Sequence, residues 1–237
     1  MPLARIKDKS RCVLLVIDMQ NDFCSPEGNM AKIGRDIRFI QKMVPHLSRL
    51  LEVCRSARMR VIFTKMVHSV WTDSPAWVSK LNSKNVRQGS WGCEFYKGFE
   101  PHEIDRVVEK HRYSAFINTD LDTVLRASGV DSIIVTGVNS DQCVDGTAKH
   151  AFQLDYYVFL VKDCIATDSQ ALTEAVVSMA EKSYGWVVSS EEIIEILARK
   201  GYTRNRPRLT RQNENGSLSL RSGENRKDPL RWRGKEK

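Results

Sequence analysis

Apolar residues fall along this chain in short continuous runs, separated by stretches in which they recur every three or four positions. Cys12–Ile17 is an unbroken apolar run ended by Asp18, and Ser132–Thr136 is a second, rich in β-branched residues. Runs of this kind, without alternation, are the pattern of strands buried on both faces of a parallel sheet. Met59–Met66, Asp105–Lys110, Tyr157–Val161 and Trp186–Val188 complete a set of six predicted strands. Between them, Ile37, Ile40, Val44, Leu47, Leu51 and Cys54 carry helical spacing, with Pro45 expected to kink or restart the helix. Further helices are predicted over Asp120–Ala127 with Thr119 as N-cap, from Asp141 onward with Val144, Ala148, Ala151 and Phe152 as the buried stripe, over Ser169–Lys182, and over Ser190–Arg199 capped by Ser190. Strand alternating with helix predicts an α/β three-layer sandwich: a six-stranded, mainly parallel sheet with helices on both faces. The stretch from His68 to Pro101 breaks the pattern, holding many aromatics with little periodicity, and reads as a lid, a pocket wall or a subunit contact.

Three polar residues end or follow these strands at what becomes one sheet edge: Asp18, Lys110 and Cys143. Open α/β sheets place ligands outside the carboxyl ends of their strands. Gly137 is expected to permit a sharp turn after the Ser132–Thr136 strand, which puts Cys143 in the first turn of the next helix. There the unpaired N–H groups and the helix dipole favour an anion, so the thiol is expected to lean toward thiolate. Most free cysteines are buried small hydrophobes. The polar approach Ser140-Asp141-Gln142 argues instead for a nucleophile. Asp18 also suits an aspartyl phosphatase, but Gln20 stands where the second acid of a DxD pair belongs.

Composition narrows the classes. The 237 residues carry a net charge of +8, of which the segment 201–237, with 11 Lys/Arg against 4 Asp/Glu, supplies +7. Two parts are therefore expected: a domain over 1–200 and a basic, disordered tail over 201–237, read as a solvated extension with nucleic acid as the alternative partner. The six cysteines form no CxxC pair, and no apolar run reaches the length of a membrane span. Free thiols, no membrane and a cytoplasmic location are the expectations.

IDMQNDF at 17–23, EKHRYSAF at 109–116 followed by NTDLDTVLRASGV, and VTGVNSDQCVDGTA at 135–148 resemble, in order and spacing, the isochorismatase-like cysteine hydrolase superfamily. The resemblance covers about Cys12 to Leu197 and implies a six-stranded parallel sheet, an Asp-Lys-Cys triad falling on Asp18, Lys110 and Cys143, and a cis peptide at Val138–Asn139 that directs the N–H groups of Asn139 and Cys143 at an oxyanion. It also implies a small-amide substrate, no cofactor and a homo-oligomer. Isochorismatases proper lack the cysteine, so Cys143 points to C–N hydrolysis. Nicotinamidases of this superfamily hold a metal through an Asp-x-His and a second His; here Met66 and His68 stand in that region with no second His following, which argues against a metal. Gly89–Trp91 and Lys110–Thr119 look like ureidoacrylate amidohydrolases, while NSDQCVDGTA looks more like biuret hydrolases. Phe23, Trp71, Trp91, Tyr113 and Asn139 are the expected substrate-binding residues, with Phe116, Asn21 and Gln142 as further wall. Nicotinamide or another small amide is the alternative substrate, and polyanion binding through the tail the alternative function.

Overall fold

Cys12–Ile17 (β1) and Ser132–Val138 (β4) are buried at every position, as expected of strands covered on both sides. They lie side by side at the centre of a six-stranded sheet of order β3-β2-β1-β4-β5-β6, with β2 at Arg60–Met66, β3 at Arg106–Lys110, β5 at Tyr157–Ala166 and β6 at Trp186–Val188. Every pairing is parallel. This computed structural model describes residues 2–81 and 84–198. The basic segment 201–237, expected to be disordered, lies outside the described residues.

Strand order reverses between β1 and β4, since β2 and β3 follow on one side and β5 and β6 on the other. The crevice beyond the carboxyl ends of β1 and β4 is thus the topological switch point, where such sheets hold ligands.

Eight helices are described: α1 Asn21–Cys24, α2 Asn29–Lys32, α3 Arg38–Ser56, α4 Pro75–Leu81, α5 Leu121–Ala127, α6 Asp145–Gln153, α7 Gln170–Ser183 and α8 Ser190–Ala198. α3 runs through Pro45 as one element, held by its buried stripe of Ile40, Met43, Leu47, Leu50, Leu51 and Cys54. α3 packs on α8 and β5, and α6 and α7 also contact β5. None of the described helices is long and apolar enough to cross a membrane.

Several local expectations are corrected. Gly137 does not make a turn: it lies inside β4 at φ +110°, and a Cβ there would fall 2.1 Å from the carbonyl oxygen of Ile17. Its role is to let β4 approach β1 at a point where the register toward β5 shifts. The helix after β4 begins as a π-helical turn over Ser140–Val144 before α6. Phe152 is 45% exposed rather than part of the buried stripe, which consists of Thr147, Ala148 and Ala151. The cap of α8 is Ser189, in a reciprocal box: Glu192 N–H donates to its Oγ at 3.2 Å while Glu192 Oε2 accepts its N–H at 2.8 Å. Ser190 instead bonds Asp163 through its N–H and hydroxyl. Thr119 Oγ1 does accept the N–H of Leu121, at 3.2 Å, although Asp120 occupies the N-cap position. The 68–101 stretch contains α4, and Gln20 and Phe95 form an isolated antiparallel bridge that ties it to the end of β1.

Candidate active site

Asp18 leaves β1 with φ +51°, and Lys110 is the last residue of β3, two strands away. Lys110 Nζ crosses the end of β2 to reach Asp18 Oδ2 at 2.7 Å, and the same ammonium lies 3.2 Å from Cys143 Sγ and 3.0 Å from the carbonyl oxygen of Arg112. Asp18 and Lys110 are fully buried and Cys143 is 3% exposed. The three residues expected from the sequence to act together are brought together, supplied by β1, β3 and the turn after β4.

Thr64, in β2 beside Ile17, holds the acid from below: its Oγ1 donates to Asp18 Oδ1 at 2.5 Å and accepts the Asp18 N–H at 3.2 Å. Gln20 fixes the neighbouring chain ends. Its amide donates to the carbonyl oxygens of Met66 (2.9 Å) and Cys93 (2.7 Å) and accepts the Met66 N–H at 2.8 Å. Asp22 joins two loops by accepting from Asn29 N at 3.0 Å and Val86 N at 2.6 Å. A Cβ at Gly92 would sit 2.1 Å from the Asp22 carboxylate, so that loop packs directly on it.

Electrostatics correct one expectation. Burial, the largest cause, pushes the Cys143 thiol up from its ordinary value; the adjacent Asp18 carboxylate adds to this, and Lys110 opposes it only in part. The helix-end preference for thiolate is outweighed because a thiolate beside the Asp18 carboxylate would place further negative charge in a buried site. Cys143 therefore rests as a thiol. Burial alone would lower Lys110, but Asp18 and then Cys143 outweigh it and hold the ammonium protonated.

A cavity of about 450 Å³ opens above this cluster. Phe23, Met66, His68, Val86, Asn139, Asp141 and Gln142 line its inner part, with Arg35 and Asp168 bridged at 3.0 Å elsewhere on its wall. The Met66 sulfur is 3.9 Å from Lys110 Nζ, and Asn139, Asp141 and Gln142 lead directly into Cys143, so the buried triad lies under the cavity floor. The Val138–Asn139 peptide is cis, as expected.

Of the expected wall, Phe23, Asn139 and Gln142 line this cavity. Tyr113 is half-buried, with its ring 4.9 Å from that of Trp77. Burial is the main cause that raises its phenol pKa, and the acidic groups of Cys143 and Asp141 act in the same direction. Trp71 and Trp91 are not in the cavity. Trp71 sits at the tip of a turn closed by bonds among Ser69, Thr72 and Asp73, which leaves it 92% exposed over a separate depression with His111 and Arg112. Trp91 contributes its carbonyl, bonded by Asn21 Nδ2 at 2.9 Å, while the residue is 51% exposed. Phe116 packs instead with His150 and Tyr156.

His68, Met66, Thr64, Asp22 and Asp141 were not singled out from the sequence as wall or support. For Thr64 a signal existed: a lone hydroxyl inside the apolar run RVIFTKM. His68 Nδ1 pairs with Asp73 Oδ1 at 2.9 Å, and Asp73 also takes a hydrogen bond from Arg87. Burial, only partly offset by Asp73, lowers the His68 pKa and keeps the ring neutral. Among the described residues no group of three or more His, Cys, Asp or Glu is placed to hold a metal ion.

Known proteins share this fold. Ureidoacrylate amidohydrolase RutB of Variovorax paradoxus (strain S110) is 30% identical over 207 residues, covering 80% of this chain and 82% of that protein. A cysteine hydrolase from Pseudomonas syringae pv. phaseolicola 1448A superposes with a TM-score of 0.70 at 25% identity, over 80% of this chain and 93% of its own. N-carbamoylsarcosine amidase from Thermoplasma acidophilum does so with 0.65 at 27%, over 76% and 97%. With the isochorismatase domain matched over residues 12–192, the chain belongs to the isochorismatase family.

Proposed function

We propose that the protein is a cysteine-dependent amidohydrolase that cleaves the C–N bond of a small ureido or carbamoyl amide and releases ammonia. The observation that carries this reading is the position of Lys110 Nζ, 2.7 Å from Asp18 and 3.2 Å from Cys143. One fixed cation holds an acid and a thiol in mutual reach, and two of the relatives named above are a ureidoacrylate amidohydrolase and an N-carbamoylsarcosine amidase.

Because the thiol is protonated at rest, the reaction needs a base, and Asp18 supplies it. Asp18 takes the thiol proton as Sγ adds to the amide carbonyl carbon. The oxygen of the tetrahedral adduct takes the negative charge and accepts from the N–H groups of Asn139 and Cys143. The C–N bond breaks, Asp18 returns its proton to the leaving nitrogen, and ammonia departs from a thioester. Water then loses a proton to Asp18 and adds to the thioester carbonyl. The C–S bond breaks, the thiol recovers its proton and the acid leaves. Lys110 stays an ammonium throughout and keeps the carboxylate aimed.

Ammonia release across ureidoacrylate, biuret, carbamoylsarcosine, nicotinamide and maleamate tests the reading. A ureido compound is expected to give the highest kcat/KM. Nicotinamide as the best substrate by a wide margin would overturn the substrate class and leave the triad chemistry standing.

A further inference from the structure

The turn that carries Cys143 is wound more loosely than the helices around it. Ser140–Val144 is π-helical, and such turns are rare and recur at functional sites. Its own hydrogen bonds hold it weakly: the N–H groups of Gln142 and Val144 both reach the Asn139 carbonyl oxygen at 3.2 Å, the long end of the ordinary range. A second hold comes from α7, which packs along the turn.

That helix grips the turn at both ends. Ser140, fully buried, has its hydroxyl 3.0 Å from Thr173 Oγ1. Thr173 gives its own hydrogen to the Ser169 carbonyl oxygen at 3.2 Å, and a hydroxyl has one hydrogen to give, so Ser140 is the donor of the pair. At the other end Asp145 follows directly on the turn. Its Oδ1 accepts from the Tyr184 hydroxyl at 2.5 Å, while Lys149 Nζ holds its Oδ2 at 2.7 Å. Tyr184 caps the carboxyl end of α7, and its ring folds back along the helix until the hydroxyl lies 3.5 Å from the Val176 carbonyl oxygen. Thr173 and Val176 are about one helical turn apart, so the two anchors sit close together on α7. None of Ser140, Asp145, Thr173 and Tyr184 lines the cavity. We infer that Thr173 and Tyr184 are positioning residues, which act through Ser140 and Asp145 to keep Cys143 Sγ at the Lys110 ammonium and within reach of Asp18. The inference rests on the amidohydrolase reading above and extends it beyond the triad. A sulfur displaced by an ångström loses rate even where every reacting group is still present.

Thr173→Val and Tyr184→Phe each remove one hydroxyl and keep the shape. In the full-length protein, each is expected to lower kcat about 10-fold on the best substrate of the panel above, and to quicken amide hydrogen exchange across 140–145 about 10-fold. Thr173→Ser is expected to restore both. Tyr156→Phe is the matched control. Tyr156 is as buried as Tyr184 and donates to Asp122 Oδ1 at 2.7 Å, but it precedes β5 at the amino edge of the sheet, where Tyr157 is level with Ser132. It is expected to lower the urea midpoint as Tyr184→Phe does, while kcat and exchange across 140–145 stay at wild-type values. Unchanged kcat in either Thr173→Val or Tyr184→Phe, or an equal fall in Tyr156→Phe, would overturn the inference while leaving an amidohydrolase. Absence of ammonia from every compound with the wild-type protein would overturn the amidohydrolase reading itself. The exchange comparison stands without activity, and unchanged exchange across 140–145 in the two variants would by itself overturn the hold of α7 on the turn.

Discussion

Thr64 grips Asp18 twice, donating a hydrogen bond to its carboxylate at 2.5 Å and accepting one from its backbone N–H at 3.2 Å. A single hydroxyl on β2 therefore orients the residue we propose as the proton carrier between thiol and leaving group. Thr64→Val keeps the shape and removes the hydroxyl. Loss of a hydrogen bond to a charged group costs ~1.5–3 kcal/mol, so kcat is expected to fall about 10- to 100-fold with KM little changed. Thr64→Ser should restore most of it. Steady-state kinetics on the three proteins decides the matter, and an unimpaired valine variant would remove Thr64 from the positioning of Asp18.

The Lys110–Asp18 pair makes a stability prediction independent of substrate. Lys110→Met leaves a carboxylate buried without its cation, which costs ~3–5 kcal/mol. Adding Asp18→Asn removes the stranded charge, so the double variant is expected to be more stable than Lys110→Met alone. Urea denaturation measures both. A double variant whose loss equals the sum of the singles would mean that the two charges are not coupled.

Among six buried, unpaired cysteines, only Cys143 faces the Lys110 ammonium. Cys143→Ser is expected to lower kcat by at least about 10³-fold while the fold persists, on the scale seen when a nucleophile is removed. Cys24, whose sulfur lies 4.0 Å from that of Met19, should tolerate serine with activity largely intact. The opposite pattern would sink the mechanism.

Burial raises Cys12, Cys24, Cys143 and Cys164, and it raises Cys54 to about 12, from an ordinary thiol value of 9.0. Below pH 9 these thiols are neutral in folded and unfolded chains alike, and the stability they contribute is fully present. Above it the unfolded chain loses protons that the folded one keeps, so stability falls as pH rises through the folded-state values. Each thiol contributes up to ~1.4 kcal/mol per pH unit in this window. Urea midpoints under reducing conditions at pH 7, 9 and 10 are expected to be flat over the first interval and to drop over the second. An equal midpoint at pH 10 would contradict the burial of these groups.

Much of this architecture is legible in the sequence because buried strands announce themselves as unbroken apolar runs. Cys12–Ile17 and Trp186–Val188 coincide with β1 and β6. The approach of Asp18, Lys110 and Cys143 is legible because each ends or follows a strand, and parallel strands put those ends at one edge. What escapes is set by three-dimensional neighbours. Gly137 reads as a turn residue until Ile17 is seen against it. The resting thiol follows from the burial of Cys143 beside Asp18, which no local pattern reports. The aromatic loop announces many rings, but the turn bonds at Ser69–Asp73 and the bond from the Asn21 side chain to the Trp91 carbonyl decide which of them turn away.

The pairing of Met66 with Lys110 aligns β2 and β3 at their last residues, and Lys110 reaches the acid on β1 only from that alignment. Sliding β3 by one residue would offer Glu109 or His111 in its place, and side chains of a strand change face at each step. Sheet registration at an outer strand thereby decides which side chain meets Asp18. One residue inserted or removed between Arg106 and Lys110 would therefore part the buried acid from its cation as surely as replacing the lysine itself.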